Sequence, residues 1–372
     1  MTRNQPDGDV VDQIADPTNP AIAQHIRQHR PKIADFIQAT FDALFIEDQG
    51  ALDLRLRFCC AAKVAALSDE AALADFYLGA LERLGATQPD ADARALDKIV
   101  LAHVARVTRT PEASDQAALD ALREAGLAEY EIVTLSQLIG YVAFQARVII
   151  AVRALCGVGR DAAIDDDATP FVRHDGFTAE SIDWLPWLAP VDLAVATPEQ
   201  LAVLDESGPT ARTSPYYLTL VHNPAVLRQR SGTYNAIMYA PGGLSRAERE
   251  LAALVVSTLN GCPYCASVHA QRLIQLTKDP DLVEQVFADP LGSGRNERER
   301  ELVRYAGRLT LETAQFGLAD VARLRALGMS DGEILDFSHV AAIFAWANRL
   351  MQTLGKPVTP RSTIQEEGCH HA

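Results

Sequence analysis

The chain has 372 residues, of which 48% are hydrophobic and 22% are charged, and its formal net charge is −15. This length allows two domains that each bury a core, and the hydrophobic content excludes a disordered chain. The acidic balance argues against nucleic acid or an anionic membrane surface as a partner. We therefore expect neither a nucleic-acid partner nor a membrane partner.

The N-terminal residues 1–20 are polar and acidic and lack the basic and apolar regions of a signal peptide. We predict that they form a disordered tail. No uninterrupted apolar run approaches the roughly 20 residues that span a bilayer. The six cysteines show no framework spacing, which favours a reducing compartment and therefore a cytoplasmic protein.

Helical periodicity runs through most of the remaining chain, for example over 244–260, 318–328 and 331–354. Strand signals are nearly absent. Capping boxes at Ser245 with Glu248, and at Ser330 with Glu333, indicate two helix starts. The sequence predicts an all-α protein.

Two parts of the chain resemble each other. Residues 31–50 align with 224–243 at an offset of 193, and residues 125–147 align with 327–349 at an offset of 202. An insertion of nine residues must therefore lie between the two blocks. Matches over whole helices indicate two tandem helical domains rather than chance similarity. The predicted boundaries are a first domain over 21–156, a linker over 157–183, a second domain over 184–358 and a frayed tail over 359–372.

The second domain contains a carboxylate, two thiols and an imidazole at informative spacings. Cys262, Cys265 and His269 share one face of a helix because they are three and four residues apart. Glu250 would lie roughly 18 Å away on a straight helix, since each residue advances ~1.5 Å. Asn260-Gly261 is a turn signal and Pro263 suits the first helical position, so we predict a helix break there. Glu250 would then fold back toward the dithiol.

Either cysteine could be the reactive thiol on this local evidence. Cys262 would be the N-cap of the second helix, where unpaired N–H groups and the helix dipole favour a thiolate. His269 is positioned to take a proton from Cys265, with Glu250 orienting it. A zinc half-site is the weaker interpretation, because a structural zinc site needs four ligands and no second CxxC occurs. The arginines and Glu248 that surround Glu250 are interpreted as a solvated helix face.

The span from Gly243 to His269 resembles the AhpD-like alkylhydroperoxidase core of the carboxymuconolactone decarboxylase superfamily. The signature of that core is E-x11-C-x2-C-x3-H, which Glu250, Cys262, Cys265 and His269 all match. The resemblance covers about residues 185–356 and is strongest to the peroxidase-related branch.

The resemblance implies specific roles. Cys265 attacks a hydroperoxide, Cys262 resolves the product as a disulfide, and Glu250 and His269 relay protons. Some members have a histidine before the second cysteine where this chain has Tyr264, so the relay would be shorter or would use the phenol or a water. The resemblance also implies a symmetric helical oligomer, and we expect a homo-oligomer.

The first copy lacks all four groups. At the offset of 193, the catalytic positions are occupied by Arg57, Asp69, Ala72 and Phe76. We interpret the first copy as a structural partner, and Cys59 and Cys60 as core cysteines.

The expected function is an antioxidant peroxidase that reduces an organic hydroperoxide without a cofactor or bound metal. A dithiol or a protein reductant would then regenerate the thiols. The alternatives are a redox sensor or scaffold with a reversible disulfide, and a lyase similar to carboxymuconolactone decarboxylase. Turnover with a supplied dithiol separates the enzyme from the sensor. A lyase needs no pair of thiols, so the CxxC argues against it.

Overall fold

The computed structural model of the protein describes residues 8–46, 50–85, 91–161 and 171–358. Within these ranges the protein is built from 17 α-helices and one two-stranded sheet, so the all-α prediction is confirmed. The helices of the N-terminal half are α1 (Val10–Ala15), α2 (Pro20–Arg27), α3 (Pro31–Leu44), α4 (Leu54–Leu67), α5 (Ala71–Leu84), α6 (Ala91–Arg109), α7 (Gln116–Glu124) and α8 (Glu129–Leu155). A short 3₁₀ turn, Pro111–Ala113, precedes α7.

The C-terminal half begins with strand β1 (Asp183–Pro186), which pairs antiparallel with β2 (Gly355–Val358) at the end of the described chain. Between the strands lie α9 (Pro198–Ser207), α10 (Pro215–Leu220), α11 (Pro224–Met238), α12 (Arg246–Leu259), α13 (Pro263–Thr277), α14 (Pro280–Ala288), α15 (Glu297–Leu311), α16 (Leu318–Ala326) and α17 (Asp331–Thr353). Trp184 of β1 is buried and donates from Nε1 to the carbonyl oxygen of Met351 at 2.8 Å. The sheet therefore joins the first and last described elements of the C-terminal half.

The bounds of the helices repeat at the two offsets that the sequence shows. Helices α3 and α11 begin 193 residues apart, and α8 and α17 begin 202 residues apart. Helix α14 has nine residues and no counterpart in the described N-terminal half, which accounts for the insertion of nine. The repeat is therefore structural, whereas the exact domain boundaries stay a prediction.

Equivalent helices of the two halves pack against each other, α3 against α11 and α8 against α17. Each contact places a glycine of one half against an aromatic ring of the other. Gly232 on α11 lies against Phe36, and Gly140 on α8 lies against Trp346. Trp346 also donates from Nε1 to Gln137 Oε1 at 2.9 Å. One continuous hydrophobic core consequently joins the halves.

Helix α8 is the most apolar segment that the structure describes. By length and mean hydropathy (1.6) it could cross a membrane, but 94% of its most apolar window is buried in the protein. Burial of this kind is what a core helix shows, so the helix is weak evidence for a membrane span.

The predicted disordered tail over 1–20 is wrong from residue 10 onward. Asp9 caps α1 by accepting from two backbone N–H groups, and Val10 and Val11 are fully buried. The buried Arg27 bonds Asp9 at 2.5 Å and ties this helix to α2. The segment is polar in composition, yet its few apolar side chains cover the end of the core. The predicted C-terminal tail, with Cys369, lies outside the described residues.

The glycine contact between the halves gives a test of the packing. Replacing a mid-helix glycine by alanine ordinarily stabilises a protein by about 0.5–1 kcal/mol. In Gly140→Ala the new methyl group would lie 2.2 Å from Trp346 Cδ1, so the tryptophan must shift. We expect this variant to lower the free energy of unfolding by roughly 1–3 kcal/mol.

The matched control is Gly79→Ala on α5, where the nearest atom is the flexible end of Arg83 at 3.4 Å. This control should be neutral or stabilising in the same chemical denaturation experiment. Equal stability of the two variants would contradict the packing described for α8 and α17.

Candidate active site

The sequence between α12 and α13 turns the chain back on itself. Helix α12 ends at Leu259, and Gly261 takes a left-handed backbone conformation with φ of +63°. Glycine adopts that conformation at little cost because it lacks a Cβ. Cys262 is the N-cap of α13 and Pro263 its first residue, so the predicted helix break is confirmed.

The turn brings Glu250 of α12 against His269 of α13. Glu250 Oε2 lies 2.6 Å from His269 Nδ1, and its other oxygen accepts from Arg246 at 2.6 Å. Burial raises the pKa of Glu250, but the hydrogen bond with His269 and the charges of His269 and Arg246 outweigh it, so the net pKa is lowered. A carboxylate at this position fixes Nδ1 as the donor and leaves Nε2 as the nitrogen that can accept a proton.

The two thiols of the motif are free and have different acidities. Hydrogen bonding from Cys262 lowers the pKa of the Cys265 thiol, aided by Asn348 and by the charge of Arg230, and these effects exceed that of burial. Burial and the neighbouring Cys265 raise the pKa of Cys262 well above its ordinary value. Cys265 is therefore the more acidic thiol of the pair, and Cys262 is the thiol that donates a hydrogen bond to it.

Asn348 is a buried residue beside the two cysteines that the sequence analysis missed. It is fully buried on α17, accepts from Asn260 Nδ2 at 2.9 Å and donates to Ser257 Oγ at 3.1 Å. These bonds hold its amide beside both cysteines. No spacing links Asn348 to the motif, although a polar residue in a wholly buried helix is a signal that could have found it.

The reactive groups open onto one cavity of about 660 Å³. Cys265 and His269 line it together, and Tyr264 also lines it. Burial raises the pKa of the Tyr264 phenol, which therefore remains protonated and can donate a hydrogen bond. The other lining residues are Ser207, Gly208, Pro209, Thr210, Ser214, Tyr216, Tyr217, Arg230, Tyr234, Asn235, Tyr239, Val268, Arg272, Phe344, Ala347 and Met351. A cavity of this size suits a small organic molecule.

The interpretation of the residues around Glu250 as a solvated face is wrong for the two arginines. Arg249 is 2% exposed and donates to the carbonyl oxygens of Ala240 and Gly242 at 2.7 and 2.9 Å. Arg246 pairs with Glu250 and stacks over Tyr239, 4.3 Å from the ring centroid. Long side chains with aliphatic stems fold into the protein here, which a pattern of charges alone does not reveal.

In the N-terminal half, the positions of Glu250 and His269 hold side chains that pack into the protein. Arg57, at the position of Glu250, donates to the carbonyl oxygens of Leu52 and Leu44. Phe76, at the position of His269, belongs to an aromatic cluster with Phe41, Phe45, Phe58 and Tyr77. Cys60 is fully buried, as predicted, and Cys59 is half-buried.

The described ranges contain no cluster of three or more histidine, cysteine, aspartate or glutamate side chains that could hold a metal ion.

Comparisons with known proteins find one family and several solved structures that are similar to part of the chain. Residues 224–307 match the model of the carboxymuconolactone decarboxylase family. One similar solved structure is an alkylhydroperoxidase AhpD core, an uncharacterized peroxidase-related protein from Ralstonia eutropha JMP134, with 26% identity over 44% of this chain and 86% of that chain, at a TM-score of 0.39. Another is an uncharacterized peroxidase-related protein from Silicibacter sp. TM1040, with 27% identity over 45% of this chain and 91% of that chain, at a TM-score of 0.39.

No curated protein matches the chain. The family match spans α11 to most of α15 and includes the carboxylate, both thiols and the histidine. Over this segment the chain is similar to the carboxymuconolactone decarboxylase family.

The different acidities of the two thiols can be measured. We expect Cys265 to be alkylated by iodoacetamide with a pH midpoint below the ordinary cysteine pKa of about 8.5. Because its pKa is lowered by hydrogen bonding from Cys262, Cys262→Ala should shift that midpoint upward. Peptide mass spectrometry over a pH series gives the rate at each cysteine.

Cys60 provides the internal reference, since burial raises the pKa of its thiol. A midpoint for Cys265 at or above the ordinary value, or one unmoved by Cys262→Ala, would contradict the assignment of the thiolate.

Proposed function

We propose that the chain is a thiol-dependent hydroperoxide reductase that uses Cys265 as the nucleophile. One observation carries the proposal. Cys265, whose pKa is lowered, lines the same cavity as His269, and the Nδ1 of His269 is hydrogen-bonded to the buried carboxylate of Glu250. A nucleophile, a base and an orienting carboxylate are the three parts of an activated thiol site. The peroxidase-related names of the two similar structures support the same chemistry.

The first step is attack of the Cys265 thiolate on the terminal oxygen of a hydroperoxide. The O–O bond breaks, an S–O bond forms, and Cys265 becomes a sulfenic acid while the peroxide is reduced to an alcohol. The leaving alkoxide needs a proton. His269 takes the proton of the Cys265 thiol on Nε2 when the thiolate forms and returns that proton to the alkoxide, and Glu250 stabilises the intervening imidazolium through Nδ1.

The second step is condensation of the sulfenic acid with the Cys262 thiol, which gives a disulfide and releases water. In the structure both thiols are free, so the first turn of α13 must adjust for the sulfur atoms to bond. A dithiol or a protein reductant then restores both thiols by exchange and leaves as its own disulfide. No cofactor takes part in this cycle.

We further propose that the protein acts in the cytoplasm, where such reductants occur, and that it forms a homo-oligomer. Neither nucleic acid nor a membrane has a role in the mechanism. A redox sensor would use the same disulfide without turnover. A lyase of the decarboxylase type would use His269 and Glu250 as the base but would leave the paired thiols without a role.

Substitution of the two cysteines tests the proposal most simply. In an assay of hydroperoxide consumption with a supplied dithiol, Cys265→Ser should abolish activity because no thiolate faces the cavity. Cys262→Ser should permit about one turnover, since the sulfenic acid still forms but cannot be resolved within the protein.

Cys156→Ser is the control, because this thiol is free but lies far along the chain from the motif on the end of α8. Multiple turnovers by Cys265→Ser at the parent rate would refute the reductase proposal. Stoichiometric oxidation of the parent without turnover would favour the sensor.

The proton relay has its own test. His269→Gln should lower kcat/KM by roughly 10²–10⁴-fold, the usual contribution of a general acid or base. Glu250→Gln should have a smaller effect in the same direction, because the orienting bond weakens while the imidazole remains. Stopped-flow rates of Cys265 oxidation measure both, and an unchanged rate in His269→Gln would rule out the relay.

A further inference from the structure

Arg230 is a buried cation that the proposed mechanism leaves without a full role. It lies on α11 and is 5% exposed. Its guanidinium lies over the ring of Tyr216 at 5.3 Å and over the ring of Tyr234 at 5.1 Å. The two tyrosines therefore fix the plane of the guanidinium by cation–π contacts and leave its N–H groups for another partner.

That partner is not supplied by the described part of the chain. There, Arg230 forms neither a salt bridge nor a hydrogen bond, and the groups that act on its charge are tyrosines and Cys265. Its side chain lines the cavity that holds Cys265 and His269. Buried charges in proteins are almost always paired, so an arginine held in a cavity wall with neither a carboxylate nor a hydrogen-bond acceptor from the described residues points to a ligand that supplies one.

The charge of the cavity wall also favours a ligand with an anionic group. Arg230 and Arg272 line the cavity, and none of the described lining residues is an aspartate or a glutamate. The chain as a whole carries a net charge of −15, so the wall has the opposite sign to the protein around it. Arg272 already bonds Tyr239 Oη at 2.9 Å, which leaves Arg230 as the arginine without a protein partner in this wall.

The N-terminal half shows that the fold itself does not need this arginine. At the offset of 193, Ile37 occupies the position of Arg230 and Phe41 that of Tyr234. Both are buried in the core. The cation therefore occurs in the copy that has the CxxC motif, and an apolar residue occurs in the copy that lacks it.

We propose that the cavity takes an organic hydroperoxide that carries a carboxylate, and that Arg230 binds this carboxylate. The planar guanidinium matches a carboxylate in a two-pronged hydrogen bond. Phe344, Val268 and Met351 supply apolar surface for the body of the molecule, and the volume of about 660 Å³ holds an aromatic or medium-chain acid. The assignment of a hydroperoxide group to the ligand rests on the proposed function, whereas the assignment of a carboxylate group does not.

Binding can be tested without any turnover. In the full chain carrying Cys262→Ser and Cys265→Ser, calorimetry compares 4-isopropylbenzoate with its neutral relative 4-isopropylbenzamide. We expect the carboxylate to bind at least about tenfold more tightly, as loss of a hydrogen-bonded charge usually requires. Adding Arg230→Gln should abolish that preference and leave the amide affinity within about twofold, while Arg230→Lys should keep part of it.

The matched control is Arg228→Gln, two residues away on α11, where the arginine is partly exposed and bonds Glu206 at 2.7 Å. It should keep the preference for the carboxylate. Equal affinity for the two ligands in the parent, binding of neither, or an unchanged preference in Arg230→Gln would overturn the proposal. Circular dichroism establishes that each variant is folded.

A kinetic comparison separates this inference from the proposed function. The substrates are the 4-carboxy derivative of cumene hydroperoxide and its methyl ester. The ratio of their kcat/KM values should favour the acid at least about tenfold and fall toward one in Arg230→Gln. The ratio cancels any effect of Arg230 on the thiolate, because that effect is common to both substrates.

Failure of the reductase proposal and failure of the carboxylate proposal would give different experimental results. Absence of turnover with every hydroperoxide would refute the reductase, while the binding comparison would still decide the carboxylate site. Turnover of the ester as fast as the acid would leave the reductase intact and refute the role of Arg230.

Discussion

The hydrogen bond between Glu250 and His269 is the interaction on which the site depends. It joins α12 to α13 across the turn at Gly261, fixes the protonation of Nδ1 and leaves Nε2 as the base at the cavity. Both groups are almost completely buried, so neither could be left unpaired without a large desolvation penalty. Arg246 completes the arrangement, because its charge adds to the hydrogen bond and charge of His269 in lowering the pKa of Glu250 despite burial.

Comparison of the two halves of the chain shows which residues accompany the CxxC motif and are not needed for the shared fold. The C-terminal half has a buried polar network around the thiols, made by Ser257, Asn260 and Asn348. The equivalent positions at offsets of 193 and 202 in the N-terminal half are Val64, Leu67 and Ala146. Polar groups in a core are tolerated only when they are satisfied, and the half without the CxxC motif packs apolar side chains at these positions instead. The same helices thus support a cavity in one half and an aromatic core in the other.

The sequence was sufficient for the elements that depend on local patterns. Helix periodicity, the capping box at Ser245 and the break before Pro263 each follow from residues within one or two turns of one another. The features that it missed depend on distant contacts. Asn348 reaches the thiols from a helix more than 80 residues away along the chain, and Arg230 becomes informative only when its tyrosine neighbours and empty surroundings are known. The helix at Val10 was missed because two buried valines outweigh a polar composition.

The central claim is that Cys265 is the thiol that peroxide oxidises, and chemical trapping tests it most directly. The Cys262→Ser protein is treated with one equivalent of cumene hydroperoxide in the presence of dimedone, which labels sulfenic acids, and each cysteine peptide is measured by mass spectrometry. The account predicts a label on Cys265 that approaches one per chain, with little on Cys59, Cys60 or Cys156. A label distributed equally over these thiols, or absent from Cys265, would contradict it.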